Sequence, residues 1–384
     1  MKALACVIFS MLLAACAMVP VAKAPEELLK DHLFLAPSER TSADDVFAMS
    51  DAMRHYLATE IASQARIKGL QQGLFDALYA KGELQLEYDS ARTRNAAQAF
   101  AARSGNCLSL VIMTAAFAKE MGLPVRYHSA YLEDTWSREG DMYFFIGHVN
   151  LTLGQRPLAA DFGHYRGDPL RIDFLSPYEV GGLRTREIAE QTIVAMYMNN
   201  RAAEALVRGQ LDDAYGWARA AIEQDPGFLS SYNTLGVVYQ RHGNLEEARN
   251  ALSFAMERNP ANTRVMSNLA AVLSELGRVE ESRALTQRLD KMEPNPPFAF
   301  FTRGLKAMRE RNYEAARDLF AKEIDRAPYY HEFHFWLAAA YVGLGQPERA
   351  RKELDLAIET STSGRDRDLY AAKLELIKAH HGAP

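Results

Sequence analysis

Apolar and polar positions follow two different patterns along the chain. In the C-terminal half the pattern repeats every 34 residues. Pro226, Pro260, Pro294 and Pro328 mark one register, Gly209, Gly243, Gly277 and Gly345 a second, and Ala214, Ala248, Ala316 and Ala350 a third. Arg311 occupies the missing glycine slot and Ser282 the missing alanine slot. The physical reading is a helix–turn–helix unit. The small residues let two helices approach closely, the glycine suits the turn between them, and the proline ends the second helix. Five units fit between about residues 195 and 364, with a helical tail from Arg365 to His380 capping the open end.

The N-terminal half has no such repeat. Residues 42–78 read as helical, with Val46, Met49, Met53 and Tyr56 at three-to-four spacing. A short strand is expected over Glu83–Tyr88 and a helix around 92–103. Asn106-Cys107-Leu108-Ser109 then opens an apolar helix to Met121, stopped by Gly122 and Pro124. Strands are expected over Val125–Leu132 and Tyr143–Ile146, followed by two more around a tight turn, and residues 166–194 read as a connector into the repeats.

The repeat resembles the tetratricopeptide repeat, most clearly in the second unit at Tyr232, Leu235, Gly236, Tyr239, Gly243, Ala248, Ala255 and Pro260. In that family the first helices line a concave groove. The resemblance therefore implies a protein or peptide partner held along a stripe of Phe298, Phe301, Leu305 and Phe335.

Composition adds little to the fold and more to the setting. The chain has 384 residues, 48% hydrophobic and 24% charged, so it has the material for two packed domains and is not a disordered chain. A net charge of −5 provides no basic field for nucleic acid. The start is Met1-Lys2 followed by an apolar run to Ala15, too short to span a bilayer but suited to a secretory signal. Its end, Leu13-Ala14-Ala15-Cys16, resembles the lipobox of bacterial lipoproteins. That resemblance implies a signal over 1–15, a lipid on Cys16, a linker over 16–41 and, with Ala17 next, an outer-membrane location facing the periplasm. Of the three cysteines, Cys6 leaves with the signal and Cys16 is blocked. Cys107 is then the single thiol of the mature protein, in an oxidising compartment and with no disulfide partner.

Cys107 stands at a helix start, where unpaired N–H groups and the helix dipole favour a thiolate. A thiolate nucleophile needs a base and a group that orients the base. In His148-Val149-Asn150-Leu151-Thr152-Leu153 the apolar positions alternate away from His148, and in Leu158-Ala159-Ala160-Asp161-Phe162 they alternate away from Asp161. A two-residue hairpin loop at Gly154-Gln155, with Gly154 at positive φ, places Leu153 opposite Arg156 and His148 opposite Asp161. Pro157 is the weak point of that strand. His128 and His164 are the alternative bases. His331-Glu332-Phe333-His334 lacks the i, i+4 histidine spacing of a zinc protease, and no motif for a metal or cofactor is present.

Gly-Asn-Cys-Leu-Ser at a helix start, Gly-Leu-Pro at its end, His-Val-Asn on one strand and Asp-Phe on the next resemble the transglutaminase-like branch of the papain-like cysteine enzymes, over about residues 40–165. The resemblance implies an α+β domain over 42–165 ahead of an all-α tetratricopeptide solenoid. It also implies Cys107 as nucleophile, His148 as general base and acid, and Asp161 as the residue that orients His148. Asn150 replaces a tryptophan common in that family. The expected activity is hydrolysis or transamidation of peptide-type amides, the alternative being a non-catalytic periplasmic adaptor that works through its repeats.

Overall fold

The computed structural model describes residues 24–39, 42–79, 84, 86–89, 92–130, 136–139, 142–145, 147–154, 169–174, 185–361 and 364–381. Cys6, Cys16, Asp161 and His164 lie outside the described residues.

The N-terminal domain is α+β. Its first helix, α1, is Asp51–Tyr56, which passes through a π-helical turn at Leu57–Ile61 into α2, Ala62–Lys68. Val46 and Met49 precede this helix because the Ser50 side chain accepts from the Met53 N–H at 3.3 Å and fixes its start. Helices α3 (Leu70–Tyr79) and α4 (Ala96–Ala102) follow, the latter opened by an Asn95–Gln98 capping box. Helix α5, Cys107–Glu120, is buried on every side from Cys107 to Ala118. A helix apolar all round belongs in the middle of a domain, and α5 is that centre.

Against α5 lies a four-stranded antiparallel sheet in the order β7-β6-β3-β8. Its strands are β3 (Val125–Ala130), β6 (His148–Leu153), β7 (Leu170–Ile172) and β8 (Thr185–Ile188). All six residues of β6 are buried. Two smaller pairs complete the domain: β1 (Glu87–Tyr88) runs parallel to β2 (Ser104–Gly105), and β4 (Trp136–Glu139) antiparallel to β5 (Met142–Phe145).

The expected register of β6 is not the one formed. Leu153 pairs with Val125 on one side and with Leu170 on the other, so both of its edges are occupied and Arg156 has no place beside it. Gly154 is not among the residues with positive φ, and its N–H donates to the Pro124 carbonyl at 2.7 Å. The segment read as a connector thus supplies β7 and β8 to the sheet.

The repeats begin with α6 (Glu190–Val207) and α7 (Leu211–Gln224). The next pairs are α8 (Leu229–His242) with α9 (Leu245–Arg258) and α10 (Thr263–Glu275) with α11 (Val279–Met292). Then come α12 (Ala299–Arg309) with α13 (Tyr313–Arg326), α14 (His331–Gly343) with α15 (Pro347–Glu359), and α16 (Gly364–His381). Each register proline stands two residues past a helix end. The turns within the pairs hold Gly209, Gly243, Gly277 and Gly345 at φ +71, +89, +74 and +68, and Arg311 takes the same left-handed conformation at φ +56. Gly236 lets α8 close on α9, since a Cβ there would stand 2.5 Å from Leu252 Cγ.

One continuous core runs from the N-terminal domain to Leu273 of α10. A second core surrounds Phe298, Phe301, Phe320 and Phe333, and a third joins α14 and α15 to α16. No residue of α11 is buried. Phe298 and Phe301, expected on a partner-binding stripe, are 2% and 1% exposed, because Phe298 packs edge-on against Phe301 and Phe333, and Phe301 lies tilted against Phe320. Leu305 lies half-buried on the same cluster, and Phe335 stacks on Tyr370 of α16 at 5.0 Å. Phe298 and Phe301 are thus core residues, while Leu305 and Phe335 are half-buried.

Candidate functional site around Cys107 and His148

Cys107 is the first residue of α5, and its placement is set by the turn before it. Asn106 caps the helix: its Oδ1 accepts from the Ser109 N–H at 2.9 Å and from the Ser109 hydroxyl at 2.8 Å. Ser109 Oγ in turn accepts from the Arg94 N–H at 2.8 Å. Gly105 has to lack a side chain, since a Cβ there would meet Ser109 Cβ at 2.7 Å. Helix α6 reaches into the same turn, because Asn106 and Asn200 both donate to Thr93 Oγ1, at 3.0 and 3.2 Å, and the Thr93 N–H donates to Glu204 at 2.6 Å. The first repeat therefore buttresses the thiol's helix cap.

The Cys107 side chain is 4% exposed, and its thiol donates to the Gly147 carbonyl at 3.9 Å, a long sulfur contact. The next residue is His148, at the start of β6 and 1% exposed. Its Nε2 lies 2.6 Å from Asp173 Oδ1, while its buried Nδ1 has no hydrogen-bond partner. Burial alone favours the neutral imidazole. The Asp173 hydrogen bond, together with the interaction of the Cys107 side chain and the charges both groups carry when ionised, outweighs it and pushes His148 up to about 9. Cys107 and His148 are thus brought together, with the histidine held from behind by a carboxylate.

That carboxylate is Asp173, one residue beyond β7, with its side chain 15% exposed. Its Oδ2 accepts from Asn150 Nδ2 at 2.9 Å and has Arg171 at 3.9 Å. Sequence reasoning missed both Asp173 and Asn150, although a signal was present. Asp-Phe occurs twice, at 161–162 and 173–174, and Leu170, Ile172 and Phe174 alternate around Asp173 as Leu158, Ala160 and Phe162 do around Asp161. His128, one alternative base, bonds Thr152 Oγ1 at 3.0 Å instead of the thiol. His334 is engaged by Glu353 and the Pro328 carbonyl, and His331 by the Tyr370 hydroxyl, so both serve the repeat packing.

Residues 55–156 match the transglutaminase-like superfamily. Residues 217–250, 239–299 and 307–376 match tetratricopeptide repeat families. The TPR repeat-containing protein YpiA of Bacillus subtilis (strain 168) is 25% identical over 135 residues, which is 35% of this chain and 32% of that protein, so the chain spans about a third of that relative's length. Among solved structures, YrrB, described as a TPR protein with an unusual peptide-binding site, is 23% identical over 47% of this chain and 92% of its own, with a TM-score of 0.26. PilF of Pseudomonas aeruginosa is 20% identical over 51% and 96%, with a TM-score of 0.28. The family-model matches, set beside the α+β domain and the helix pairs already described, establish the chain as a transglutaminase-like domain joined to tetratricopeptide repeats.

Proposed function

We propose that the protein is a cysteine acyl-transfer enzyme in which Cys107 is the nucleophile, His148 the general base and acid, and Asp173 the group that orients His148. Asp173 takes the role that sequence reasoning gave to Asp161. The observation that carries this reading is the imidazole of His148, buried, bonded through Nε2 to Asp173 at 2.6 Å and with Nδ1 unpaired beside a helix-start cysteine. Such a histidine accepts a proton at Nδ1 while Asp173 stabilises the imidazolium.

Near neutral pH the proton of the Cys107–His148 pair is already on the imidazole, so the Cys107 sulfur attacks an amide carbonyl carbon directly, and the new S–C bond leaves negative charge on the carbonyl oxygen. The backbone N–H of Cys107 contributes to holding that oxyanion. Collapse breaks the C–N bond, and His148 returns its proton to the departing amine. Water then attacks the thioester with His148 again taking the proton, which releases a carboxylic acid and frees the thiol. An amine in place of water gives transamidation. Hydrolysis is the default, since water is always present. Peptide-type amides are the substrate class, the repeats bind a protein or peptide partner, and Cys16 carries a lipid that anchors the chain in a bacterial envelope. Palmitate labelling that is lost in Cys16→Ala tests the anchor.

A second reading is the non-catalytic adaptor, and the observation in its favour is the burial of both Cys107 and His148. The discriminating experiment is trapping of an acyl-enzyme with a chromogenic thioester or activated amide, read by intact mass. A single adduct on Cys107, absent in His148→Ala, supports the enzyme. No adduct on the folded chain, with Cys107 reactive only after unfolding, supports the adaptor.

A further inference from the structure

Residues 24–39 cross the first repeats as an extended strap broken by two 3-10 turns, Glu26–Leu28 and Asp31–Leu33. Among the described residues the strap pairs with no strand, and the repeats answer its backbone directly. The Tyr239 hydroxyl donates to the Leu28 carbonyl at 2.7 Å and accepts from the Lys30 N–H at 3.0 Å. The Leu35 N–H donates to Asp212 at 2.9 Å. The buried carboxylate of Asp213 accepts from both the N–H and the hydroxyl of Ser38, at 2.5 and 2.8 Å.

Side chains of the strap fill made-to-measure places. Phe34 stacks face to face on Tyr215 at 4.1 Å and lies 4.5 Å from the His242 ring. Asp31 accepts from the Tyr215 hydroxyl at 2.7 Å and pairs with Arg219 at 3.0 Å. Pro37 lies over Gly216, where a Cβ would stand 2.9 Å from the proline ring. Backbone-directed bonds combined with a few side-chain pockets are how a protein holds an extended peptide.

We propose that the cleft between α7 and α8 is a peptide-binding site whose resident ligand is the chain's own Asp31–Ser38, and that it exchanges this strap for a free peptide with the same spacing of carboxylate, phenyl ring and Pro-Ser. This rests on the reading of the repeats as a peptide-binding module and deepens it. It assigns the site to the first two units and to an acidic–aromatic ligand, away from the buried phenylalanines of the fourth and fifth units. While tethered, the strap competes at an effective concentration on the order of millimolar, so the site is closed to weak ligands.

The test uses the full chain with a protease site inserted at residues 40–41 and cut after folding, and a fluorescein-labelled peptide of residues 27–39 as the probe. The proposal expects saturable uptake by the cut chain, with uptake by the uncut chain at least about tenfold weaker. Phe34→Ala in the probe should weaken binding by about tenfold or more, as loss of a central aromatic anchor does. If the cut strap leaves and the probe does not bind up to millimolar concentration, the proposal is overturned. It is also overturned if the cut strap never exchanges, since the strap is then a permanent part of the fold. Binding of a different peptide to the uncut chain with the strap in place would preserve the peptide-binding reading of the repeats while removing this site from it.

Discussion

Within the repeats, a helix pair is decided by residues close in sequence: Gly243 turns the chain at φ +89, and Gly236 admits Leu252 sixteen residues later. In the thiol domain nothing so local suffices, because His148 sits on one strand, Asp173 follows another, and Cys107 opens a helix whose cap is tied to α6 of the repeats. The difference lies in how damage spreads. A fault in one repeat is felt by its neighbours, since each unit packs mainly on the next. A fault at any of three distant points in the thiol domain would remove the proposed acyl transfer, which needs all three at once.

The sharpest way to break this comparison is to damage each region by one side chain. For the thiol domain, His148→Ala is expected to lower acyl transfer by about 10²–10⁴-fold with little change in fold, measured as kcat/KM on an activated ester. For the repeats, Gly236→Ala and Gly304→Ala occupy the same slot two units apart, and their new Cβ atoms would meet Leu252 and Phe320 at 2.5 Å. Each is expected to cost about 1–3 kcal/mol in denaturant unfolding while acyl transfer stays near that of the parent. Gly236 belongs to the core shared with the thiol domain and Gly304 to the separate core behind it. If Gly304→Ala damaged catalysis more than Gly236→Ala, the division of the cores would be wrong.

A smaller effect concerns pH. His148 has a folded pKa of about 9, above its ordinary value of 6.5. Its contribution is therefore fully present below about 6.5 and is lost as pH rises through 9. The gap in Tm between the parent and His148→Gln is expected to be widest near pH 6 and to narrow by a few degrees toward pH 9.5. A gap that widened instead would contradict the ion-pairing of the ring. The smallest effect comes from Arg311, which holds the left-handed turn that glycine holds in the other units. Arg311→Gly relieves that strain at the cost of a looser unfolded chain, and a net gain of about 0.5–1 kcal/mol is expected by denaturant titration.

What was legible in the sequence follows the same division. The helix turns, the prolines past the helix ends and even the odd Arg311 slot were readable because each is a property of one short stretch of chain. The positions of Cys107 at a helix start and of His148 on a strand were readable for the same reason, one from its helix-start signature and the other from strand alternation. The partner of His148 was not, because choosing between two Asp-Phe pairs requires knowing which strand fills the free edge of β6. That edge is filled at Leu151–Leu153 by β7, a strand of three residues, too short for its alternation to stand out. Phe298 and Phe301 were misjudged because a stripe along one helix face looks the same whether the next helix covers it or leaves it open. Asn150 read only as a missing tryptophan, whereas in the fold it donates to the second oxygen of Asp173.

The central claim is that Asp173, and not Asp161, makes His148 a working base for Cys107. The most direct measurement is the second-order rate of Cys107 carbamidomethylation by iodoacetamide across pH 5–9.5 in the parent, His148→Ala, Asp173→Asn and Asp161→Asn. The account predicts rapid labelling near neutral pH in the parent and Asp161→Asn, and a fall of about tenfold or more in His148→Ala and Asp173→Asn. A rate that drops in Asp161→Asn while Asp173→Asn keeps the parent profile would contradict it.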